Sequence, residues 1–139
     1  MAWVVDSCIL LDIALDDPKF GRASAGLLER LRIDELIVCP VTMVELAPEF
    51  GGEIANLRDF LTLSAVQAHI AWTDADTDAA AQGWVRYVRR KRQGRSGKRP
   101  VADILIGGFA TRFQGLITRN PKHFKPYYPN LMVQNPESS

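Results

Sequence analysis

The chain has 139 residues, of which 47% are hydrophobic and 24% charged, and a formal net charge of +1. Those values suit one soluble domain with a single sizeable core, and no apolar run approaches the length of a membrane span. Cys8 and Cys39 sit in apolar stretches, there is no CxxC, and His69 and His123 lie far apart. This excludes a disulfide framework and a structural zinc site and points to a reducing, cytoplasmic compartment. The N-terminus lacks a basic region followed by a long apolar segment, so no signal peptide is expected.

Ala2–Val5 reads as a buried strand that ends abruptly at Asp6, and Cys8 to Leu15 as a following helix. Asp16 to Gly21 is a turn, and Arg22 to Arg32 an amphipathic helix carrying Leu27, Leu28 and Leu31. Leu36 to Cys39 predicts a second buried strand before Pro40. A helix then starts at Val41-Thr42, with Thr42 and Glu45 spaced as a capping box. Glu53 to Leu63 is a further amphipathic helix, and Ala68 to Thr73 is assigned to a short strand. From about Asp76 to Arg92 runs a long helix, acidic at its start and basic at its end, as the helix dipole favours. Gln93 to Arg99 is a basic loop, and Pro100 opens a helix through Asp103 to about Arg112. Leu116–Thr118 and Asn130–Val133 complete the strands. The expected organisation is one domain over residues 1–134 with a mobile tail at 135–139.

Strands alternating with helices predict a parallel sheet covered by helices. If the crossovers are right-handed, four polar residues reach one edge of that sheet: Asp6, Glu45, Asp103 and Asn120. Each has a plainer explanation. Asp6 caps a helix, Glu45 completes a capping box, Asp103 complements a helix N-terminus, and Asn120 makes a turn before Pro121. Together they are harder to dismiss, because Asp6 and Asp103 sit in the apolar runs W-V-V-D and A-D-I-L-I. Two carboxylates about 4 Å apart repel by roughly 4 kcal/mol at an effective dielectric of about 20. A cluster of three calls for protonation or a bound cation, and hard oxygen ligands favour Mg²⁺ or Mn²⁺.

Four segments carry a family resemblance: V-V-D-S-C-I-L-L-D, V-T-M-V-E-L, P-V-A-D-I-L-I-G-G-F-A and L-I-T-R-N-P-K-H-F. In this order, over residues 3 to about 133, the chain resembles PIN-domain nucleases, in particular the VapC-like toxins of bacterial toxin–antitoxin pairs. The resemblance implies a three-layer α/β/α sandwich and Mg²⁺-dependent endoribonuclease activity. It also implies frequent homodimers and inhibition by a small antitoxin protein. Carried over by position, Asp6, Glu45 and Asp103 are the metal ligands. Asn120 joins them in the catalytic set where many members have Asp, which makes a second permanently bound metal less certain. Ser7 and Thr118 lie beside the acids and are positioned to hold water there. The implied reaction is phosphodiester hydrolysis by a cation-activated water, with no histidine base.

The cations between Arg86 and Arg99 read either as a solvated helix end or as a phosphate track. The track would put Arg95, Lys98 and Arg99 on RNA next to the Asp103 helix. Trp84, Tyr87 and Val88 fall on another side, as core or dimer contacts. The helices Arg22–Arg32 and Glu53–Leu63 are candidates for an antitoxin groove or a dimer seam. Among rivals, a phosphoryl-accepting receiver would want an acidic pair after the first strand, where Ser7 follows Asp6. A haloacid-dehalogenase-type phosphatase would want D-x-D, where Cys8 replaces the second Asp. A catalytically degenerate RNA- or protein-binding module remains the alternative, kept alive by Asn120.

Overall fold

The computed structural model describes residues 1–94 and 100–138. Five strands form one sheet in the order β3-β2-β1-β4-β5, and every neighbouring pair is parallel. They are β1 (Ala2–Val5), β2 (Glu35–Ile37), β3 (Val66–Gln67), β4 (Gly115–Ile117) and β5 (Val133–Gln134). The helices are α1 (Ser7–Ala14), α2 (Gly21–Leu31), α3 (Pro40–Leu46), α4 (Ile54–Leu63), α5 (Asp74–Arg92) and α6 (Val101–Ala110).

Parallel strands need crossovers, and here the crossovers cover both faces. The period-2 alternation of the strands divides the core in two. Val4, Ile37 and Leu116 pack with Ala80, Tyr87, Ile104 and Phe109 of α5 and α6. Trp3, Val5, Leu36 and Ile117 pack with Ile9, Leu10, Leu27, Leu28, Leu57 and Leu61 of α1, α2 and α4. The expected α/β/α sandwich is therefore the observed one. The two glycines Gly83 and Gly107 let α5 and α6 close on the Tyr128 ring, since a Cβ at either would overlap it. The Tyr128 hydroxyl donates to the Ile104 carbonyl between them.

Two expectations change. Thr42 does not cap a helix: Cys39 is the N-cap, Pro40 occupies the first turn, and no side chain caps the end. A proline preset for helix moves the N-cap back by three residues, from Thr42 to Cys39, so Glu45 stands in the second turn. The strand expected at Ala68–Thr73 is instead Val66–Gln67, a two-residue edge strand paired with β2. The capping box lies at Thr73 and Asp76, where α5 begins. Pro136–Ser138 forms a 3-10 turn against α2. Arg95, Lys98 and Arg99 lie outside the described residues. No helix among the described residues is long and apolar enough to cross a membrane.

Candidate active site

The strand order turns around at β1: β2 and β3 lie on one side, β4 and β5 on the other. Beyond the carboxyl ends of β1 and β4 lies the topological switch point of the sheet, the place where ligands of open α/β sheets bind. Asp6 leaves β1 at this point, and Thr118-Arg119-Asn120 leaves β4 beside it.

Asp6 is 4% exposed and serves as the N-cap of α1. Its Oδ1 accepts from the Ser7 backbone N–H at 2.8 Å and from the Ser7 hydroxyl at 3.5 Å. Its Oδ2 accepts from Thr118 Oγ1 at 2.7 Å and from the Cys8 thiol at 3.4 Å. Thr118 Oγ1 in turn accepts the Asn120 backbone N–H at 3.0 Å, so one hydroxyl ties the exit of β4 to Asp6. Burial raises the Asp6 carboxyl above its ordinary range, and the bonds from Thr118, Cys8 and Ser7 pull against that rise. The Cys8 thiol is pushed up to about 12, first by burial and then by the Asp6 charge, so it is a neutral donor.

Glu45 and Asp103 complete the acidic edge. Burial raises Glu45, followed by the charges of Asp6 and Asp103, while a bond from the Ser7 hydroxyl opposes them. Asp103, in the first turn of α6, is raised to about 6 by burial and by the Asp6 charge. The Asp6 charge thus opposes ionisation of both other carboxyls, and the Asp103 charge opposes that of Glu45. The three do not close into a cage: among the described residues no three His, Cys, Asp or Glu side chains stand as a ready metal cluster. The donor chemistry of this edge, hard carboxylate oxygens with no cationic Lys or Arg among their described partners, suits a hard divalent ion.

The Asn120 backbone joins the group through Thr118, and the residue then caps the 3-10 turn Pro121–His123. That turn brings in a residue the sequence reading left out. His123 Nδ1 stands 3.4 Å from Asp103 Oδ2 and lowers the Asp103 pKa. The expectation of no histidine near the acids is corrected by this contact. The only signal in the sequence was the short spacing from Asn120 to His123.

Behind this edge, Arg119 faces away from the acids. Its Nε and one Nη donate to the two oxygens of Asp12 at 2.6 and 3.0 Å, and its guanidinium lies 3.9 Å from the Phe20 ring centroid. The Ser24 hydroxyl donates to the same carboxylate at 2.8 Å. The segment that carries Thr118 and Asn120 is therefore clamped from both sides.

A PIN domain family model matches residues 3–127. By sequence, no curated protein matches. Several solved structures share the fold. VapBC2 from Rickettsia felis, bound to a DNA fragment from its promoter, aligns at TM-score 0.70 and 18% identity, over 97% of this chain and 98% of that one. VapBC-1 from nontypeable Haemophilus influenzae aligns at 0.68 and 22%, over 99% of both chains. FitAcB from Neisseria gonorrhoeae aligns at 0.70 and 17%, over 100% of both.

Proposed function

The chain belongs to the PIN domain family, and from that premise we propose that it is a divalent-metal-dependent endoribonuclease, the toxin of a toxin–antitoxin pair. The observation that carries this reading is the convergence of Asp6, Glu45 and Asp103 at the sheet's turning point, near enough that the Asp6 charge raises both of the other carboxyls. The likeness to VapBC and FitAcB supports an antitoxin partner. The reading includes a homodimer and a cytoplasmic location.

Asp6, Glu45 and Asp103 would hold Mg²⁺ or Mn²⁺. The bound ion would supply Lewis acidity, lowering the pKa of water and offsetting charge on the phosphate. The chain's own residues do the rest. Thr118 and the Ser7 backbone fix both oxygens of Asp6, so this carboxylate needs no reordering to act. Ser7, reaching both Asp6 and Glu45, sets the spacing of two acids. The exposed imidazole of His123 marks where solvent and substrate reach Asp103. Arg95, Lys98 and Arg99 supply phosphate contacts leading to α6. Asn120 offers an amide oxygen in place of a fourth carboxylate, which favours one ion over two.

The test is cleavage of labelled single-stranded RNA by antitoxin-free protein. Cleavage should require Mg²⁺ or Mn²⁺, stop with chelator, and fall by about a hundredfold or more in Asp6→Asn. Failure to cut any RNA or single-stranded DNA would overturn the reading. The open arrangement of the acids and the amide at position 120 favour one alternative, a catalytically degenerate RNA- or protein-binding module. Thermal unfolding separates the two. A nuclease site gains stability with Mg²⁺, whereas a degenerate module is indifferent to it.

A further inference from the structure

We infer that His123 is a metal ligand in its own right, adding one imidazole nitrogen to the oxygens of the acidic edge, so that the site takes Mn²⁺ in preference to Mg²⁺. The inference rests on the reading above, in which that edge holds a divalent ion. The nitrogen donor, and the preference that follows from it, are new.

His123 Nδ1 and Asp103 Oδ2 stand 3.4 Å apart. Donors bound side by side on an octahedral ion, each about 2.1 Å from it, are about 3 Å from one another. The pair therefore already has nearly the spacing of neighbouring ligands. No hydrogen bond closes the contact, and nothing else among the described residues fixes the ring. The imidazole is 57% exposed, open to an ion arriving from solution. Its charge is felt at Asp6 as well as at Asp103, so it stands within electrostatic reach of two of the three acids.

The backbone that carries the ring is firmly held. Pro121 opens the turn, the Asn120 carbonyl accepts the His123 N–H at 3.0 Å, and the next residue, Phe124, is wholly buried. The Asn120 N–H bonds the same Thr118 hydroxyl that grips Asp6. One continuous segment, Thr118 to His123, thus runs along the acids, with a hydroxyl on Asp6 at one end and an imidazole on Asp103 at the other.

A plainer role for His123 is that of a fixed counter-ion. The chain shows elsewhere how it makes one: Asp12 and Asp76 each receive a guanidinium through two hydrogen bonds of 2.6 to 3.0 Å. Among the described residues Asp103 receives neither a guanidinium nor a hydrogen bond from its imidazole. What the neutral ring offers, and Lys and Arg do not, is a nitrogen lone pair. Mg²⁺ demands oxygen and gives up its water reluctantly, whereas imidazole suits transition-metal ions.

Mn²⁺ is the probe, because its unpaired electrons register a directly bound nitrogen in pulsed electron paramagnetic resonance. The chain has two histidines, His69 and His123, so the signal can be assigned. Nitrogen coupling is expected in wild type and in His69→Ala, and its loss in His123→Ala and His123→Gln. In calorimetric titration each His123 variant binds Mn²⁺ about tenfold more weakly and Mg²⁺ within about threefold of wild type. Because the ring is exposed, both variants unfold like wild type without metal. Mn²⁺ bound without nitrogen coupling overturns the inference. So does coupling that survives the loss of His123, or an equal weakening of both ions. Those outcomes leave the nuclease reading to be judged by RNA cleavage, whereas a chain that neither binds Mn²⁺ nor cuts RNA overturns both.

Discussion

The molecule contains two populations of carboxylate treated in opposite ways: the buried Asp12 and Asp76, and a sheet-edge group in which Asp6 is buried, Asp103 half-buried and Glu45 exposed. Asp12 and Asp76 are 4% and 1% exposed, and each meets a guanidinium through two hydrogen bonds. Ser24 also serves Asp12, and the Thr73 backbone serves Asp76. Asp6 is equally buried, yet among the described residues it is held only by hydroxyls, a thiol and a backbone N–H. Among the described residues, Asp103 has only the exposed imidazole of His123. Where a carboxylate builds the fold, the chain supplies a cation of its own. At the sheet edge no Lys or Arg among the described residues pairs with these acids, and in the proposed function an ion from solution relieves the repulsion among Asp6, Glu45 and Asp103.

If that distinction is right, removing a cation from the first population should cost most. In Arg119→Ala or Arg112→Ala a buried carboxylate loses its partner, and we expect a loss of about 3–5 kcal/mol in chemical unfolding. Arg119→Ala should also lower RNA cleavage by freeing the Thr118–Asn120 segment, while Arg112→Ala, at the far end of α6, should leave cleavage per folded molecule unchanged. Equal stability and equal cleavage in both variants and wild type would erase the comparison.

The second population should respond with the opposite sign. Asp103 has a folded pKa of about 6 against an ordinary 3.8. Between those values the folded protein binds more protons than the unfolded chain, so ion-free stability falls as pH rises through that window and levels off above it. Asp103→Asn removes the penalty. It should stabilise the ion-free protein at pH 7 by about 1–2 kcal/mol after discounting for solvent screening, and by nothing below about pH 4. Mg²⁺ should reverse the ranking, stabilising wild type and not the variant. Thermal unfolding at several pH values, with and without Mg²⁺, reads both effects. A wild type more stable than Asp103→Asn at pH 7 without metal would show that the site is already neutralised.

The two populations were not equally legible in the sequence. Asp6 was readable because a buried strand must end somewhere, and a carboxylate at the end of W-V-V marks the spot. Asp103 was readable from the apolar run around it, and the sheet from the alternation of strands and helices. The structural pairs were not readable: Asp12 and Arg119 are 107 positions apart, Asp76 and Arg112 36. Nothing local distinguishes these acids from surface acids. His123 was missed because its place depends on how the turn after Asn120 folds back. The edge strand β3 was misplaced because two residues are too few to show an alternation, and its pairing with β2 sets its position instead.

The smallest effect we expect concerns the helix that carries Glu45. Thr42 was read as a cap on the strength of its spacing to Glu45, but Cys39 and Pro40 take over the helix start. The Thr42 side chain is fully buried, and among the described residues its hydroxyl has no hydrogen-bond partner. A buried hydroxyl without a partner costs on the order of 1 kcal/mol, and valine has nearly the same shape. Thr42→Val should therefore stabilise the protein by about 1 kcal/mol. If the hydroxyl is only a misfit, cleavage should not change. A stabilised variant with weakened Mg²⁺-dependent cleavage would instead place Thr42 with the unpaired acids, as a polar group kept at a cost because the loaded site uses it.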